Sequence, residues 1–434
     1  MLCGIPSTAY LSLSLKTYYK LYSIIMYKIL TVFILGLTVI MSFCGAKDSV
    51  VIAQNGDTLI APVEKKAPNS SYKPAFAGQT RIAGINTKTA YAVKVLSKEL
   101  KNPWGITNLP DGRFLITEKK GNLRIATTSG VISDPITGIP EVNSNGQGGL
   151  LGLTIDPAFS QNRIVYWVFS EKTPEGNLTA VAKGKLSANE KEIENAIVIY
   201  RATPAFKSNL HYGGRIVFDK SGYLFVSTGE RSDLESRPQA QQLNSALGKV
   251  LRITKDGKPA PGNPFAGNAS ARPEIYSYGH RNVQGLTINP TTGDLWEHEF
   301  GPRGGDELNR IQPGKNYGWA TITYGIEYSG EKVGEGITQK PEMQQPVYYW
   351  DPVVSPSGMT FYTGNNMAEW KNNLFISCLS GQHIARLIIK NNKVTAEENL
   401  LGDEGQRFRD IIQGKDGALY TITDQGRLYR IGKK

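Results

Sequence analysis

Cysteine is scarce in this chain, and its scarcity excludes folds that depend on disulfide staples or cysteine-bound metals. The 434 residues include three cysteines, Cys3, Cys44 and Cys378, and the first two fall in a segment that we predict to be a leader. A disulfide framework is therefore excluded, and a single internal disulfide would require Cys44 to reach Cys378. No pair of cysteines has the spacing of a metal site.

The sequence also lacks a dense run of basic residues and an apolar segment of membrane-spanning length. Its formal net charge is +11, but the lysines and arginines are scattered. We therefore expect a mildly basic solvated surface and no nucleic-acid partner, while a basic pocket for an acidic small molecule stays open. The uncharged run 29–43 is shorter than the about 20 residues that a membrane helix needs.

We predict that residues 1–44 form an export leader. The apolar run follows the basic Lys28, which is typical of a signal peptide, and Met26 is a candidate true start. Cys44 directly follows the run and resembles a bacterial lipoprotein cleavage site, so we expect an acylated Cys44 as the one link to a membrane. Cleavage after Ala46 without a lipid is the first alternative, and a retained anchor is the second. All three place the rest of the chain outside the cytoplasm, in the periplasm or cell envelope.

The remaining chain divides into a polar segment and a long repetitive one. Residues 45–80 contain only scattered apolar residues, and we predict a flexible tether there. Residues 81–434 repeat a turn rich in Gly, Asp or Asn, followed by a short β run. The six turns lie at 111–112, 161–162, 221–222, 292–293, 372–373 and 416–417. With no long helical period, this predicts an all-β, six-bladed propeller with four-stranded antiparallel blades, and seven blades as the main alternative.

Histidine is rare as well, with four in the chain, and one of them is a candidate base. His211 lies in a glycine-flanked loop just before the predicted strand 216–218, and Glu230 follows the next strand. Because one strand up and the next strand down return the chain to the same face, Glu230 can orient the imidazole of His211. A neutral imidazole can then act as a general base. The alternatives are a His211 bonded to backbone and a surface Glu230 paired with Arg231.

The stretch 273–319 is the densest in candidate functional residues. Asp306 and Glu307 are adjacent acids after a glycine-rich turn, and acids on a loop with exposed carbonyls suit Ca²⁺. The alternative is a solvated acidic turn paired with Arg303 or Arg310.

Two further features suit a polar ligand. Gln147 is an amide on a flexible, glycine-rich loop. Arg407 and Arg409 alternate around Phe408 and therefore point to one face of a strand, where two guanidinium groups suit a polycarboxylate. Ordinary loop and strand-edge packing is an equally good interpretation of both features.

Together these segments resemble the soluble glucose/sorbosone dehydrogenase family, and within it the aldose sugar dehydrogenases that use pyrroloquinoline quinone. The resemblance covers about residues 80–434 and rests on NPWGITNLPDGRFLITE, GQGGLLGLTIDPAF, HYGGRIVFDKSGYLFVSTGER, GPRGGDELN, GKNYGW and QRFRDI. It implies a six-bladed propeller that oxidises an aldose at C1 to a lactone, with an external electron acceptor.

The resemblance also implies roles for individual residues. His211 would be the catalytic base, and Glu230 would orient it. The residues implied to surround the quinone are Gln147, His211, Arg281, Asn282, Arg407 and Arg409. The groups implied to bind calcium are the carbonyls of Gly301 and Pro302, beside the quinone, and Glu307 with the Tyr317 carbonyl, at a second structural ion.

Three positions depart from the family pattern. Phe300 stands where the family usually has Gln or His, Ser380 stands where a Lys faces the quinone, and Val283 replaces a Pro after Arg-Asn. Phe300 and Ser380 favour a rival interpretation, a non-catalytic extracytoplasmic propeller that binds a glycan or a protein, whereas His211 and Glu230 favour the enzyme. A calcium-dependent propeller lactonase would need a central cluster of Asn, Asp and Glu ligands, which we do not find in the sequence.

Overall fold

Each of the six predicted turns joins the first and second strands of one antiparallel sheet. In this computed structural model, which describes residues 51–52 and 58–434, the six sheets follow one another along the chain, and we number them as blades 1 to 6. Gly112 and Gly222 adopt φ values of 93° and 82° in two of these turns. Glycine takes up this left-handed conformation without strain, which is why these tight turns contain it.

The strands give the blades the following bounds. Blade 1 contains Pro103–Asn108, Phe114–Glu118 and Asn122–Ala126, and blade 2 contains Leu150–Ile155, Ile164–Thr173, Gly176–Leu186 and Ile193–Arg201. Blade 3 contains Ile216–Phe218, Leu224–Ser227, Lys249–Ile253 and Ile275–Tyr278, and blade 4 contains Val283–Ile288, Leu295–Glu299, Asp306–Ile311 and Tyr348–Trp350. Blade 5 contains Pro356–Phe361, Leu374–Cys378, Ile384–Lys390 and Lys393–Leu400, and blade 6 contains Phe408–Gln413, Leu419–Thr423, Leu428–Lys433 and Tyr91–Ser97.

Little else in the described chain is regular. The two-residue strands Val51–Ile52 and Thr58–Leu59 precede the blades, and the helical segments are Phe159–Asn162 and the 3₁₀ turns Arg237–Gln241, Ala368–Trp370 and Gly402–Glu404. Among residues 51–52 and 58–434, no helix combines the length and the apolarity needed to cross a bilayer.

The apolar core lies between the blades. Six clusters of buried side chains fill the spaces between neighbouring blades, one cluster for each pair. Because both faces are covered in this way, the second strand is buried at every residue in five of the blades, as in Phe114–Glu118. Cys378 is fully buried in the second strand of blade 5 and has no disulfide partner in the part of the chain that is described.

The ring is closed by strands from both ends of the propeller. Tyr91–Ser97 pairs antiparallel with Leu428–Lys433 and forms the outer edge of blade 6, and the first strands of all six blades contact their neighbours around a closed circle. This confirms the six-bladed propeller and leaves no blade without a neighbour. Blade 1 has three regular strands, and its fourth position is reduced to single bridges made by Ile132 and Ile136.

Residues 58–80 differ from the flexible tether that the composition predicts. The amides of Asn69 and Ser70 donate hydrogen bonds to the Asp351 carboxylate at 2.7 and 3.0 Å. Gln79 is fully buried and donates to the Pro346 carbonyl at 3.0 Å. The packed region therefore begins before residue 81, because polar side chains fix this segment. The leader, with Cys44, lies outside the described residues.

Candidate active site

His211 and Glu230 meet at one face of blade 3, where the loop before its first strand lies beside the turn after its second strand. Nδ1 of His211 is 2.6 Å from Oε1 of Glu230, and both residues are buried. A carboxylate only accepts hydrogen bonds, so Nδ1 carries the proton and Nε2 keeps its lone pair. Among the described residues, none forms a hydrogen bond with Nε2. Glu230 therefore orients His211, as the hairpin argument predicts, and does not pair with Arg231.

Burial sets the protonation state of this histidine. Loss of hydration, with the nearby charge of Arg281, lowers the pKa of His211 to about 4, although the hydrogen bond and charge of Glu230 act in the opposite direction. The imidazole is therefore neutral at pH 7. This is the form that a general base must have before it accepts a proton.

The loop of Gln147 is tied to the loop of His211. Oε1 of Gln147 accepts a hydrogen bond from the His211 amide at 2.9 Å, and the Gln147 amide donates to the Asn209 carbonyl at 2.7 Å. Lys119 donates to the carbonyl of Gly146 in the same loop. His211 itself has φ of 45°, in the left-handed region that residues other than glycine rarely adopt. These contacts hold His211 in that conformation.

Arg281 and Asn282 lie at the entry to blade 4, next to the His211–Glu230 pair. The Glu230 amide donates to the Arg281 carbonyl at 3.0 Å, and Nη1 of Arg281 donates to the Phe300 carbonyl at 3.1 Å. Nε of Arg281 and Nδ2 of Asn282 are buried and have no partner in the described chain. A buried donor without an acceptor is costly, so these two atoms suit a ligand that brings acceptor oxygens.

The side chains of Arg407 and Arg409 both bind Asp424. They therefore point to the same face, as their alternation in the sequence predicts. Their Nε atoms lie 2.9 and 2.8 Å from the two oxygens of that carboxylate. Arg409 and Asp424 line a cavity of about 230 Å³ together with Lys119. Burial and the charge of Arg409 lower the pKa of Lys119. The cavity thus has more positive than negative charge, which suits an anionic ligand.

The adjacent acids Asp306 and Glu307 do not form one site, which corrects the expectation that they act together. They follow each other in a strand, so their side chains point to opposite faces. Asp306 accepts hydrogen bonds from the Gly301 amide at 2.8 Å and from two amides just before blade 5. Neither acid pairs with Arg303, which reaches toward the N-terminal segment, or with Arg310, which pairs with Asp294.

Glu307 instead lies opposite Glu299 on the neighbouring strand, and both residues line a small cavity that Tyr317 also lines. The cavity has room for a single water molecule or ion. Burial raises the pKa of Glu307 well above its usual range, and the charge of Glu299 raises it further. The pKa of Glu297 is raised for the same two reasons, and its Oε2 is buried without a described partner. A divalent cation would relieve this repulsion, so these donors fit Ca²⁺.

The turn that follows Glu299 offers a second set of oxygens. The carbonyl oxygens of Gly301 and Pro302 accept no hydrogen bond from the described residues. Asp306 holds the turn in place through the Gly301 amide. Two fixed carbonyl oxygens without a donor are suitable ligands for a hard cation.

The sequence segments that build this site match a family model. Residues 100–430 match the model described as Glucose / Sorbosone dehydrogenase. The chain belongs to the glucose/sorbosone dehydrogenase family. It is 41% identical over 350 residues to the aldose sugar dehydrogenase YliI of Escherichia coli K12, a match that covers 79% of this chain and 93% of the relative.

Solved structures of this family have the same fold. A crystal structure of a glucose dehydrogenase is similar to this chain with a TM-score of 0.76 and 43% identity, over 79% of this chain and 100% of the other. The pyrroloquinoline quinone-bound aldose sugar dehydrogenase of Streptomyces coelicolor has a TM-score of 0.65 and 28% identity, over 80% of this chain and 100% of the other. These relatives support sugar oxidation as the general activity.

The three departures from the glucose/sorbosone dehydrogenase pattern have different structural settings. Ser380 is exposed, and its hydroxyl lies 2.7 Å from the hydroxyl of Ser355. Phe300 lines the cavity between Glu299 and Glu307. Val283 is fully buried at the start of blade 4. Of the three, only Ser380 stands where the family resemblance implies a charged side chain.

Sequence reasoning missed two polar residues near this site, Glu299 and Arg215, and named Arg231 only as the alternative partner of Glu230. Glu299 follows Glu297 by two positions in a strand, and this alternation was a usable signal for a shared face. Arg215 forms a buried ion pair with Asp410 at 2.6 Å. Arg231 is buried behind Glu230, and no local pattern indicates its partners.

Proposed function

We propose that this chain oxidises an aldose at C1 to a lactone, with pyrroloquinoline quinone as cofactor and Ca²⁺ as its metal. The observation that carries the proposal is the buried His211–Glu230 pair, with a neutral imidazole whose Nε2 is free of described partners. Membership of the glucose/sorbosone dehydrogenase family and the quinone-bound relative support the choice of reaction and cofactor.

The two protein groups divide the proton chemistry between them. Nε2 of His211 takes the proton of the C1 hydroxyl while the C1 hydrogen leaves with its electron pair, so that C1 becomes the lactone carbonyl carbon. Glu230, at 2.6 Å from Nδ1, stabilises the imidazolium that forms. When bound, the quinone supplies the electrophile that accepts the hydride. Burial of the pair keeps competing water away from Nδ1.

The residues present fit an anionic quinone. Nε of Arg281 and Nδ2 of Asn282 are buried donors without acceptors, and they would donate to quinone oxygens. Arg407 and Arg409 would bind carboxylates of the quinone in competition with Asp424, which they share. Gln147 would close the site on the side of His211, to whose amide it is bonded.

The calcium assignments use backbone carbonyl oxygens that accept no hydrogen bond from the described residues, together with Glu307, whose Oε2 accepts one from Asn309 at 3.3 Å. The Gly301 and Pro302 carbonyls would hold the ion that polarises the quinone. Glu307 and the Tyr317 carbonyl would hold a structural ion in the cavity that Glu299 also lines. The raised pKa of Glu307 in the absence of metal supports this second assignment.

We also propose that the protein is exported and anchored by an acylated Cys44. The support is the sequence pattern of Lys28, the uncharged run 29–43 and the following cysteine. An extracytoplasmic oxidation needs an external carrier that takes the two electrons from the reduced cofactor. That carrier is the second partner, besides the aldose.

Reconstitution of the purified apoprotein tests the proposal directly. Quinone binding would be measured by quenching of tryptophan fluorescence, with and without Ca²⁺, and turnover by dye reduction with a panel of aldoses. We expect calcium-dependent binding and aldose-dependent dye reduction, both absent from a sample without quinone. If the quinone binds but no aldose is oxidised, the proposed substrate class is wrong. No binding would favour the non-catalytic propeller, the interpretation that Phe300 and Ser380 favour in the sequence.

A further inference from the structure

Arg231 is a fully buried arginine without an ion-pair partner in the described chain. The residue is 1% exposed, and its Nη1 has no hydrogen-bond partner among the described residues. Its Nη2 donates to Oδ1 of Asn177 at 2.6 Å and to the Ser208 carbonyl, and its Nε donates to the Leu210 carbonyl at 3.1 Å. Burial of a guanidinium with no counter-ion in contact is costly, so a specific role must compensate for it.

The partners of Arg231 belong to the loop that carries His211. Ser208 and Leu210 precede His211, and both give their backbone carbonyls to the guanidinium. Tyr212 follows His211, and its ring centroid lies 3.7 Å from the guanidinium carbon, which is a cation–π contact. Arg231 therefore holds the chain on both sides of the histidine.

The network also joins two blades. Asn177, at the start of the third strand of blade 2, accepts hydrogen bonds from Arg231 and from the Tyr212 hydroxyl, each at 2.6 Å. Arg231 and His211 both have positive φ, of 76° and 45°. Residues other than glycine keep this conformation only where the surroundings enforce it, and here the hydrogen bonds of Arg231 are part of those surroundings.

The charge of Arg231 acts on the same histidine. The charged groups that face His211 are Glu230 and Arg231, from the turn after the second strand of blade 3, and Arg281, from the entry to blade 4. Gln147, which reaches His211 from the loop before blade 2, is neutral. A positive charge held near the imidazole disfavours the imidazolium, so Arg231 acts with Arg281 and against Glu230.

We propose that Arg231 is a positioning residue for the general base, because its buried guanidinium clamps the loop on both sides of His211 and aims the imidazole. The proposal rests on the proposed function for its kinetic consequence, but its effect on the titration of His211 is independent of that function. Arg231→Met removes both the positive charge and the planar guanidinium group with its hydrogen bonds. Arg231→Lys keeps the charge and removes only the guanidinium geometry, so the two variants separate the effect of charge from that of geometry.

Arg252→Met is the matched control. Arg252 is also an arginine of blade 3 that stacks on an aromatic ring, at 4.6 Å from the Tyr223 centroid, and it pairs with Asp219 at 2.7 Å. It lies at the Asp219 turn, at the end of the blade opposite His211. Its loss therefore reproduces the cost in packing without touching the His211 loop.

Two measurements distinguish clamping from general stability. The chain has four histidines, so NMR of the imidazole protons in the cofactor-free protein can follow the titration of His211, with His211→Ala to assign it. Arg231→Met should raise its midpoint by about 0.5–1 pH unit, whereas Arg231→Lys and Arg252→Met should leave it near the parent value. In the reconstituted enzyme, Arg231→Met should lower kcat roughly 10–100-fold, with smaller changes in KM and quinone affinity.

The outcomes separate this proposal from the proposed function. If Arg231→Met matches Arg252→Met in both the midpoint and kcat, Arg231 is only structural and the proposal is wrong. If Arg231→Met does not fold, Arg231→Lys provides the test, because loss of the guanidinium hydrogen bonds must still lower kcat about 10-fold relative to Arg252→Met. If the parent enzyme oxidises no aldose, the proposed function fails, while a shifted midpoint in Arg231→Met would still show that Arg231 is held close to His211, and an unshifted midpoint would overturn the proposal.

Discussion

Glu299 and Glu307 are direct cross-strand partners in blade 4, and both residues line one small cavity. Glu297, two residues from Glu299, adds a third acid, which is fully buried and has one oxygen without a described partner. Carboxyl groups so close together are neutralised by protons or by a cation. The raised pKa values of Glu297 and Glu307 show that ionising them without a cation is unfavourable. The stability of blade 4 should therefore depend on calcium.

Glu307→Gln should remove this dependence. If the site binds Ca²⁺, a concentration one hundred times Kd should stabilise the parent by about 2.7 kcal/mol, so the melting temperature should fall by several degrees when chelator is added. The variant should melt at the same temperature with and without chelator, as scanning calorimetry would show. Glu331→Gln, at an exposed turn, is the control and should respond like the parent. An equal chelator response in Glu307→Gln and the parent would reject this metal site.

His211→Ala should abolish most of the turnover of the reconstituted enzyme. Loss of a positioned general base should lower kcat by about 10²–10⁴-fold. Quinone affinity should change far less, because Arg281, Arg407 and Arg409 remain. Tryptophan fluorescence and dye reduction measure the two quantities on one sample. A variant that keeps parental turnover would show that another group accepts the proton.

The pH dependence of kcat/KM should show a general base with an unusually low pKa. Burial lowers the pKa of His211 to about 4, so the free enzyme keeps its base deprotonated well below the ordinary histidine range. We expect kcat/KM to fall only as pH decreases toward about 4. Glu230→Gln removes the charge that raises this pKa, so its midpoint should move to still lower pH while kcat falls. A parental midpoint near 6.5 would contradict the buried geometry.

The fold was predictable because its signal is local. Each turn such as Asp111-Gly112 carries its own conformational preference, and six such turns at blade-sized spacing determine the architecture. The His211–Glu230 pair was predictable for the same reason, since a single hairpin brings the two residues together. The packing of residues 58–80 was not predictable, because it depends on hydrogen bonds to Asp351, which is distant in sequence. The role of Arg231 likewise depends on contacts between blades.

Cys44 should carry a lipid in the native host. We expect mass spectrometry of the mature N-terminus to find a diacylated or triacylated cysteine as the first residue, and membrane fractions to retain the protein. Cys44→Ala should release it from the membrane while leaving the propeller folded, since the strands of the propeller begin at Tyr91. An unmodified N-terminus after Ala46 would reject the anchor but keep export, and full-length protein in the cytoplasm would reject both.

Ser380→Lys should tighten quinone binding by the apoprotein. The Ser380 side chain is exposed and bonds only to Ser355 and to the Val353 carbonyl in the described chain, so a longer side chain has room. A new ammonium group beside an anionic ligand forms a charge-assisted hydrogen bond worth about 1.5–3 kcal/mol, which corresponds to an affinity gain of at least about 10-fold. Fluorescence titration of the apoprotein measures this gain without any need for turnover.

The control for that gain is Ser380→Met, which has nearly the length of lysine without its charge. If the lysine acts through charge, Ser380→Met should bind like the parent, and the advantage of Ser380→Lys should shrink in about 1 M salt, where the Debye length is about 3 Å. Equal gains in both variants would assign the effect to packing. If the parent does not bind quinone and Ser380→Lys does, the natural chain has lost its cofactor through this one position. The non-catalytic propeller would then be the better interpretation, with the His211–Glu230 pair as a relic of the enzyme.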